Sequence, residues 1–343
     1  MPQIQIRNAS KYYGSVKALY NVDLNIEDGD YVVLLGPSGC GKTTLLKTIA
    51  GIITPNTGSV SIAGRNVTAL PPEDRGIGFV FQNYALFTHM SALENASYGL
   101  LARGETPEKA HRIGAEMLKL VQLADRTDAM PRELSGGMQQ RLAIARAMAT
   151  GSKLLLLDEP MNALDAHIRT ELRVELRRMV KSLGLTAIHV THDQEEAMAL
   201  ADKIIIMRAG RILQAGTPHE VYLHPNCPFV ASFLGEANFL RVTFDEGEAQ
   251  LLGQKVKTKL HGPYIACIRP ENMRLDHKGT KVRVTNCRPF GPFFKYDVDF
   301  NGLMLSVRTT HDQRDATFLS FDPAEVLYFK EPSEGLEKSL TSA

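Results

Sequence analysis

Residues 31–44 read YVVLLGPSGCGKTT. The apolar run from Tyr31 to Leu35 stops at Gly36, and a helix-forming stretch starts near Lys42. A short continuous apolar run has the length of a strand buried on both faces, as in parallel sheets covered by helices. Between strand and helix, Gly36-Pro37-Ser38-Gly39-Cys40-Gly41-Lys42-Thr43 fits the phosphate-loop pattern G-x-x-x-x-G-K-[ST]. Small residues let the backbone wrap an anion with its N–H groups pointing inward, and the following helix adds its positive dipole end. Lys42 would supply charge to the β- and γ-phosphates, and Thr43 a hydroxyl to Mg2+. The loop alone specifies a nucleoside triphosphate and nothing narrower, since kinases, GTPases and helicases share it.

Further strands of the same kind are expected at Lys153–Leu157, Thr186–Val190 and Ile204–Met207, with helices between them. That alternation predicts an α/β fold, a phosphate-loop NTPase core with a parallel sheet. Ile168, Leu172, Leu176, Met179 and Leu183 recur at helical spacing within Ala166–Leu183. Residues 4–26 and 59–81 read as short strands forming an antiparallel edge, and about 88–150 as a helical subdomain. In that subdomain one helix is expected to begin at Pro107 and another, after the break at Pro131, near Met138. From residue 236 the pattern becomes all-β: runs at Ile265–Ile268, Val282–Thr285, Lys295–Phe300, Leu303–Val307 and Glu325–Phe329 alternate with turn residues such as Asn301-Gly302. The expected domains are therefore 1–235 and 236–343, the second a small barrel or sandwich, with Pro332–Ala343 frayed.

The bulk properties agree with a soluble globular chain: 343 residues, 44% hydrophobic and 22% charged. A formal net charge of +1 gives no basic footprint, so no nucleic-acid partner is expected. No apolar run approaches the roughly 18 residues of a membrane helix. Met1–Ser10 carries no signal-peptide pattern, so the chain is expected in the cytosol, serving a membrane only through a partner. Cys40, Cys227, Cys267 and Cys287 form no CxxC pair and no zinc cluster.

A second site follows from Leu154-Leu155-Leu156-Leu157-Asp158-Glu159. Parallel strands deliver their C-terminal ends to one edge, so Asp158 is expected beside the phosphate loop, holding Mg2+. Glu159, one residue on, can take a proton from the water that attacks the γ-phosphate, which favours hydrolysis over transfer to a hydroxyl. Leu134-Ser135-Gly136-Gly137-Met138-Gln139-Gln140-Arg141 opens a helix with a natural N-cap at Ser135 and two glycines that let an anion approach bare backbone. Two anion sites far apart in one sequence make sense if a second copy presents this one to the first copy's nucleotide.

With these motifs in place the chain resembles an ABC ATPase over residues 4–235. Further stretches match the family in order: Tyr13 in KYYG as the aromatic that stacks on adenine, Gln82 in FVFQNY as the glutamine loop, Asn162-Ala163-Leu164-Asp165 after the catalytic Glu, and His192 in VTHD as the histidine switch. The resemblance implies a head-to-tail homodimer sandwiching two ATP molecules with Mg2+. Nucleotide would be held by Tyr13, Gly36, Pro37, Ser38, Gly39, Cys40, Gly41, Lys42, Thr43 and Thr44, with Gln82 and Asp165. Ser135, Gly136, Gly137 and Gln139 would come from the other subunit. It further implies metal contacts from Thr43, Gln82 and Asp158, and catalysis by Glu159 and His192. The segment Gln82–Met90 is similar to the part of importer subunits that grips a permease helix. Ile268-Arg269-Pro270-Glu271-Asn272-Met273-Arg274-Leu275 resembles a motif of the transport-associated OB-type (TOBE) domain in the maltose/polyamine/ferric-ion importer group. The expected assembly is a homodimer on two permease subunits at the cytoplasmic face of the cell membrane, with solute delivered by a separate binding protein. A soluble ABC ATPase of repair or translation is the alternative. Met138, Asn162 and Thr88 depart from the group's usual Gln, Ser and Pro. Cys40, beside Lys42 and a helix N-terminus, is expected to favour thiolate and react with alkylating agents.

Overall fold

The structure, a computed structural model, describes residues 4–161, 166–333 and 335–341. It divides into two compact units between Val221 and Tyr222.

The first unit holds ten strands and most of the helices. β1 (Ile4–Tyr13), β2 (Val16–Ile26), β4 (Thr57–Ile62) and β5 (Arg65–Asn66) form an antiparallel sheet in the order β2-β1-β4-β5. A six-stranded sheet runs β10-β9-β3-β8-β7-β6, built from β3 (Tyr31–Leu35), β6 (Ile77–Val80), β7 (Leu154–Asp158), β8 (Thr186–Thr191), β9 (Lys203–Arg208) and β10 (Arg211–Gly216). All its pairings are parallel except β9 with β10. Every residue of β3, β7 and β8 is buried, as the unbroken apolar runs require. β6 lies in the region expected to join the antiparallel edge, yet it pairs in parallel with β7. Its alternation of half-buried and buried residues marks it as an outer strand of that sheet, where one face is less covered.

The helix α1 (Lys42–Ala50) is buried with both sheets: its Leu45, Leu46 and Ile49 share one apolar cluster with Val32, Leu156 and Ile188 of the six-stranded sheet and Ile4, Ile6 and Val60 of the antiparallel one. Each fully buried Leu or Ile contributes roughly 1.5–3 kcal/mol. Arg75 closes the C-terminal end of α1: its guanidinium donates to the carbonyls of Thr48, Ile49, Thr68 and Leu70. The segment expected to be helical contains α2 (Ala92–Ala102), α3 (Pro107–Leu120) and α4 (Gly136–Ala149). Ser91 and Glu94 form a capping box on α2, and Thr106 caps α3 with Pro107 in its first turn. α5 (Ala166–Ser182) buries Leu172, Leu176 and Met179. The stripe residue Ile168 lies outside the residues whose side chains are described. α6 (Gln194–Leu200) follows β8, and the division falls within α7 (Pro218–Leu223).

The second unit is rich in β-structure. Asn238–Phe244, Gly262–Ile268 and Leu327–Phe329 form one antiparallel sheet; Arg283–Phe290, Phe293–Phe300 and Leu303–Thr309 form another. Asn301 (φ 52°) and Gly302 (φ 86°) make the tight turn between the last two strands, both left-handed as a two-residue hairpin of this kind needs. Two differences from expectation stand out. The division falls before Tyr222 rather than at residue 236, because Arg269 gathers the carbonyls of Tyr222, Ala231, Gly235 and Glu236 and stacks on the Tyr222 ring. The tail expected to fray forms a helix at Leu336–Thr341, with Leu336 packed against the cluster of Ala231, Ile265, Cys267 and Phe329. Among the described residues no helix is long and apolar enough to cross a membrane.

Candidate functional site

Strand order places four motifs side by side at the C-terminal edge of the six-stranded sheet. Leu35 of β3 pairs with Thr191 of β8, Val190 of β8 with Asp158 of β7, and Leu157 of β7 with Val80 of β6. The loops leaving these strands therefore carry, in spatial order, the phosphate loop, His192, Asp158-Glu159 and Gln82. Ligands bind in this position on open parallel sheets.

The phosphate loop fits its place closely. Gly41 caps α1 with φ 109°, and a Cβ there would stand 2.3 Å from the Ala18 carbonyl oxygen. A Cβ on Gly36 would meet the Met207 carbonyl at the same distance. Gly210 braces the loop, donating its N–H to the Cys40 carbonyl and accepting from Tyr20. Lys42 reaches back across the loop, its ammonium donating to the carbonyls of Gly36 (2.7 Å) and Pro37 (2.9 Å). A cleft of about 580 Å³ opens here, and its walls include Ser38, Lys42, Thr43, Thr44 and Glu159. Lys17 and Ala18 of β2, and the Ala209-Gly210 turn after β9, complete it. Sequence reasoning missed these last residues, for which the only local signal was the turn itself. Tyr13 is half-exposed and pairs in register with Val16, another residue of the cleft wall.

Thr43 Oγ1 donates to Asp158 Oδ1 at 3.0 Å. Asp158 is buried, and burial raises its pKa, against the lowering effect of the Thr43 bond and of Lys47. A hydroxyl beside a single carboxylate suits Mg2+, which keeps several of its waters. Among the described residues no three His, Cys, Asp or Glu cluster as a full protein cage would need. Glu159 adopts a left-handed backbone, φ 46°, where a side chain is strained. Its carboxylate lies 3.6 Å from His192 Nδ1.

Gln82 follows β6 with its side chain exposed. The next turn holds Tyr84 (φ 61°) and Ala85 (φ 48°), both left-handed. Arg146 of α4 donates to both carbonyls, Ala85 at 2.7 Å and Tyr84 at 2.8 Å, and lies over the Phe87 ring. At the start of α4, Ser135 caps the helix by accepting from the Met138 N–H, with Gly136 and Gly137 in the first turn. The Gln139 amide donates to the carbonyls of Pro131 and Leu134, holding the approach to the helix. None of these signature residues is among those lining the phosphate-loop cleft. Asn162 and Asp165 lie outside the described residues.

Cys40 corrects an expectation. Its side chain is 2% exposed, and burial pushes the thiol pKa up, against the pull of Lys42. Its sulfur lies 2.7 Å from where a Cβ on Gly36 would stand, and Cys40 is not among the residues lining the cleft. Proximity to a cation lowers a thiol's pKa only where solvent or dipoles also support the charge.

Comparison with known proteins agrees with this geometry. The family model for ABC transporters matches residues 19–162. The sulfate/thiosulfate import ATP-binding protein CysA of Pseudomonas syringae pv. tomato is 42% identical over 335 residues, covering 95% of this chain and 97% of that one. The Fe(3+) ions import ATP-binding protein FbpC of Agrobacterium fabrum is 41% identical over 329 residues, covering 92% and 93%. Among solved structures, the dimeric bacterial ABC transporter cassette MJ0796 is 34% identical with a TM-score of 0.56, covering 63% of this chain and 98% of that one. The same cassette, in a dimeric post-hydrolysis state bound to ADP and Pi, matches with 33% identity and a TM-score of 0.56 over the same shares.

Proposed function

The chain belongs to the ABC transporter family, and from that premise we propose that it is the ATP-hydrolysing subunit of an importer, working as a homodimer on separate permease subunits. The observation that carries the reading is the sheet edge itself. Adjacent strands present an anion cradle, a metal-suited hydroxyl–carboxylate pair and a Glu–His pair in one line. Near-full-length relatives that are named as import ATP-binding proteins support transport over a soluble role in repair or translation.

In the proposed mechanism the backbone N–H groups of Ser38–Thr43 and the Lys42 ammonium hold the phosphates, exchanging the Lys42 contacts to Gly36 and Pro37 for phosphate oxygens. Thr43 and Asp158, with Gln82, would hold Mg2+, which would supply positive charge to the phosphates. Glu159 accepts the proton of the attacking water, and His192 orients that water and the γ-phosphate. Tyr13 would stack on the base. The separation of the Ser135–Gln139 signature from the cleft within one chain supports its use by a second copy, as does the likeness to a dimeric cassette. Relatives of near-equal identity are named for cargoes as different as sulfate/thiosulfate and Fe(3+), which favours cargo selection by the permease and binding protein. The β-rich second unit is assigned as a TOBE-type regulatory and dimerisation domain, and the site of work is the cytoplasmic face of the membrane.

The decisive experiment is purification from membranes followed by an ATPase assay. A co-purifying polytopic permease and Mg2+-dependent phosphate release are expected; ribosomes or DNA in place of a permease would overturn the importer reading.

A further inference from the structure

Behind the loop that carries His192 lies a row of buried polar groups that the proposed mechanism leaves unused. His189 of β8 and Tyr31 of β3 are both fully buried, with the Tyr31 hydroxyl 3.0 Å from His189 Nδ1. Burial raises the Tyr31 pKa, so the phenol keeps its proton. Burial also pushes the His189 imidazole down to about 3, so the ring is neutral. The Tyr31 phenol can donate to Nδ1, and in that tautomer the neutral ring carries its proton on Nε2. Nε2 is buried without a hydrogen-bond partner and stands 3.7 Å from Glu196 Oε2.

Glu196, on α6, is 3% exposed. Its Oε2 accepts from Thr191 Oγ1 at 2.5 Å, and Thr191 Oγ1 in turn accepts from the Asp193 N–H at 3.0 Å. The two residues flanking His192 are thus tied to one buried carboxylate, and the neutral His189 ring stands behind it. Two apolar rings in place of Tyr31 and His189 would fill the same space without an unmade hydrogen bond in the core, which is expensive.

We propose that His189 is a positioning residue for hydrolysis: its Nε2–H closes onto Glu196 and so fixes the Thr191–Asp193 turn that presents His192 to Glu159. The inference rests on the reading of Glu159 and His192 as the hydrolytic pair. The groups acting on Glu196 are several. Burial raises its pKa, the Thr191 bond lowers it, Asp193 raises it, and Arg173 and Arg169 of α5 lower it, Arg173 Nε standing 4.0 Å away. Tyr31 reaches it through His189. A donated Nε2–H favours the ionised carboxylate, so losing it moves the acid limb of turnover to higher pH.

The test compares wild type with His189→Phe, His189→Gln and Tyr31→Phe as full-length chains, following steady-state ATP hydrolysis across pH. His189→Phe should lower kcat about tenfold, the worth of one hydrogen bond, with KM for ATP within about twofold. Its acid limb should move up by about half a pH unit. Tyr31→Phe, which removes one oxygen and little packing, should shift both readings the same way, and His189→Gln, which restores an N–H, should recover them in part. An unchanged kcat and acid limb in both Phe variants would make the ring a core filler and end the proposal. So would a fall in kcat accompanied by a matching rise in KM and no pH shift. Glu159→Gln and His192→Ala run alongside. If they keep wild-type turnover, the reading of the site fails and this inference with it; if they lose it while the Phe variants do not, only this inference fails.

Discussion

His192 Nδ1 stands 3.6 Å from Glu159 Oε2, and the glutamate holds that position on a left-handed backbone with φ 46°. A non-glycine residue in this region stores roughly 1–3 kcal/mol, which persists only where the surrounding structure imposes it. The Glu159 N–H donates to the Val190 carbonyl and so ties the strained residue to the strand that leads to His192. Glu159→Gln keeps the shape and removes the proposed base. Turnover should fall roughly 10²–10⁴-fold with ATP binding retained. Phosphate release and equilibrium nucleotide binding check the two halves of that statement, and near-wild-type hydrolysis would remove Glu159 from the base's role.

The Lys42 ammonium and the Thr43 hydroxyl should separate in their effects. Lys42→Ala removes the charge proposed to hold the phosphates and should abolish the rise in melting temperature on adding ATP, since ligand stabilisation scales with occupancy. Thr43→Ala leaves the cradle but takes away the partner of Asp158. Its nucleotide binding should lose dependence on Mg2+. Thermal shifts with ATP alone, and with ATP plus Mg2+, distinguish the two variants.

Cys40 should resist alkylation in the folded protein, because burial disfavours the thiolate. Cys227 and Cys287 are half-buried and should label first. Mass spectrometry after brief iodoacetamide treatment reads each site. Rapid labelling of Cys40, with protection by MgATP, would mean that the loop opens far more than its packing indicates.

Arg75→Ala should destabilise the first unit by about 2–4 kcal/mol, because four carbonyls lose a charged donor and two of them end α1. Arg75→Lys should recover only part of this, since one ammonium cannot span the same fork. Urea unfolding measures both; a loss below about 0.5 kcal/mol for the alanine variant, the level of a neutral surface change, would contradict the account.

The parts legible in the sequence were those whose meaning is local. A strand end followed by Gly36–Thr43, by Asp158-Glu159 or by His192 carries its chemistry in consecutive residues. What escaped detection depends on partners distant in the chain. Arg75 and Arg269 read as ordinary charges, yet each gathers four carbonyls from separate segments. Cys40 was misjudged because its exposure is set by Gly36 and by strands remote in sequence. In the second unit the strands at Glu248–Leu251 and Gln254–Lys257 are too short and polar to stand out, and become strands by pairing with each other. Leu336 lies in a polar tail, and only the cluster it packs against makes that tail helical.

Arg146 gives the glutamine-loop turn an unusual kind of restraint. Both left-handed residues, Tyr84 and Ala85, are held by the two nitrogens of one guanidinium. The fork is planar and rigid, so one side chain fixes the direction of both carbonyls at once. The turn after β6 is thereby set by a residue some sixty positions away, and its shape is inherited from the placement of α4.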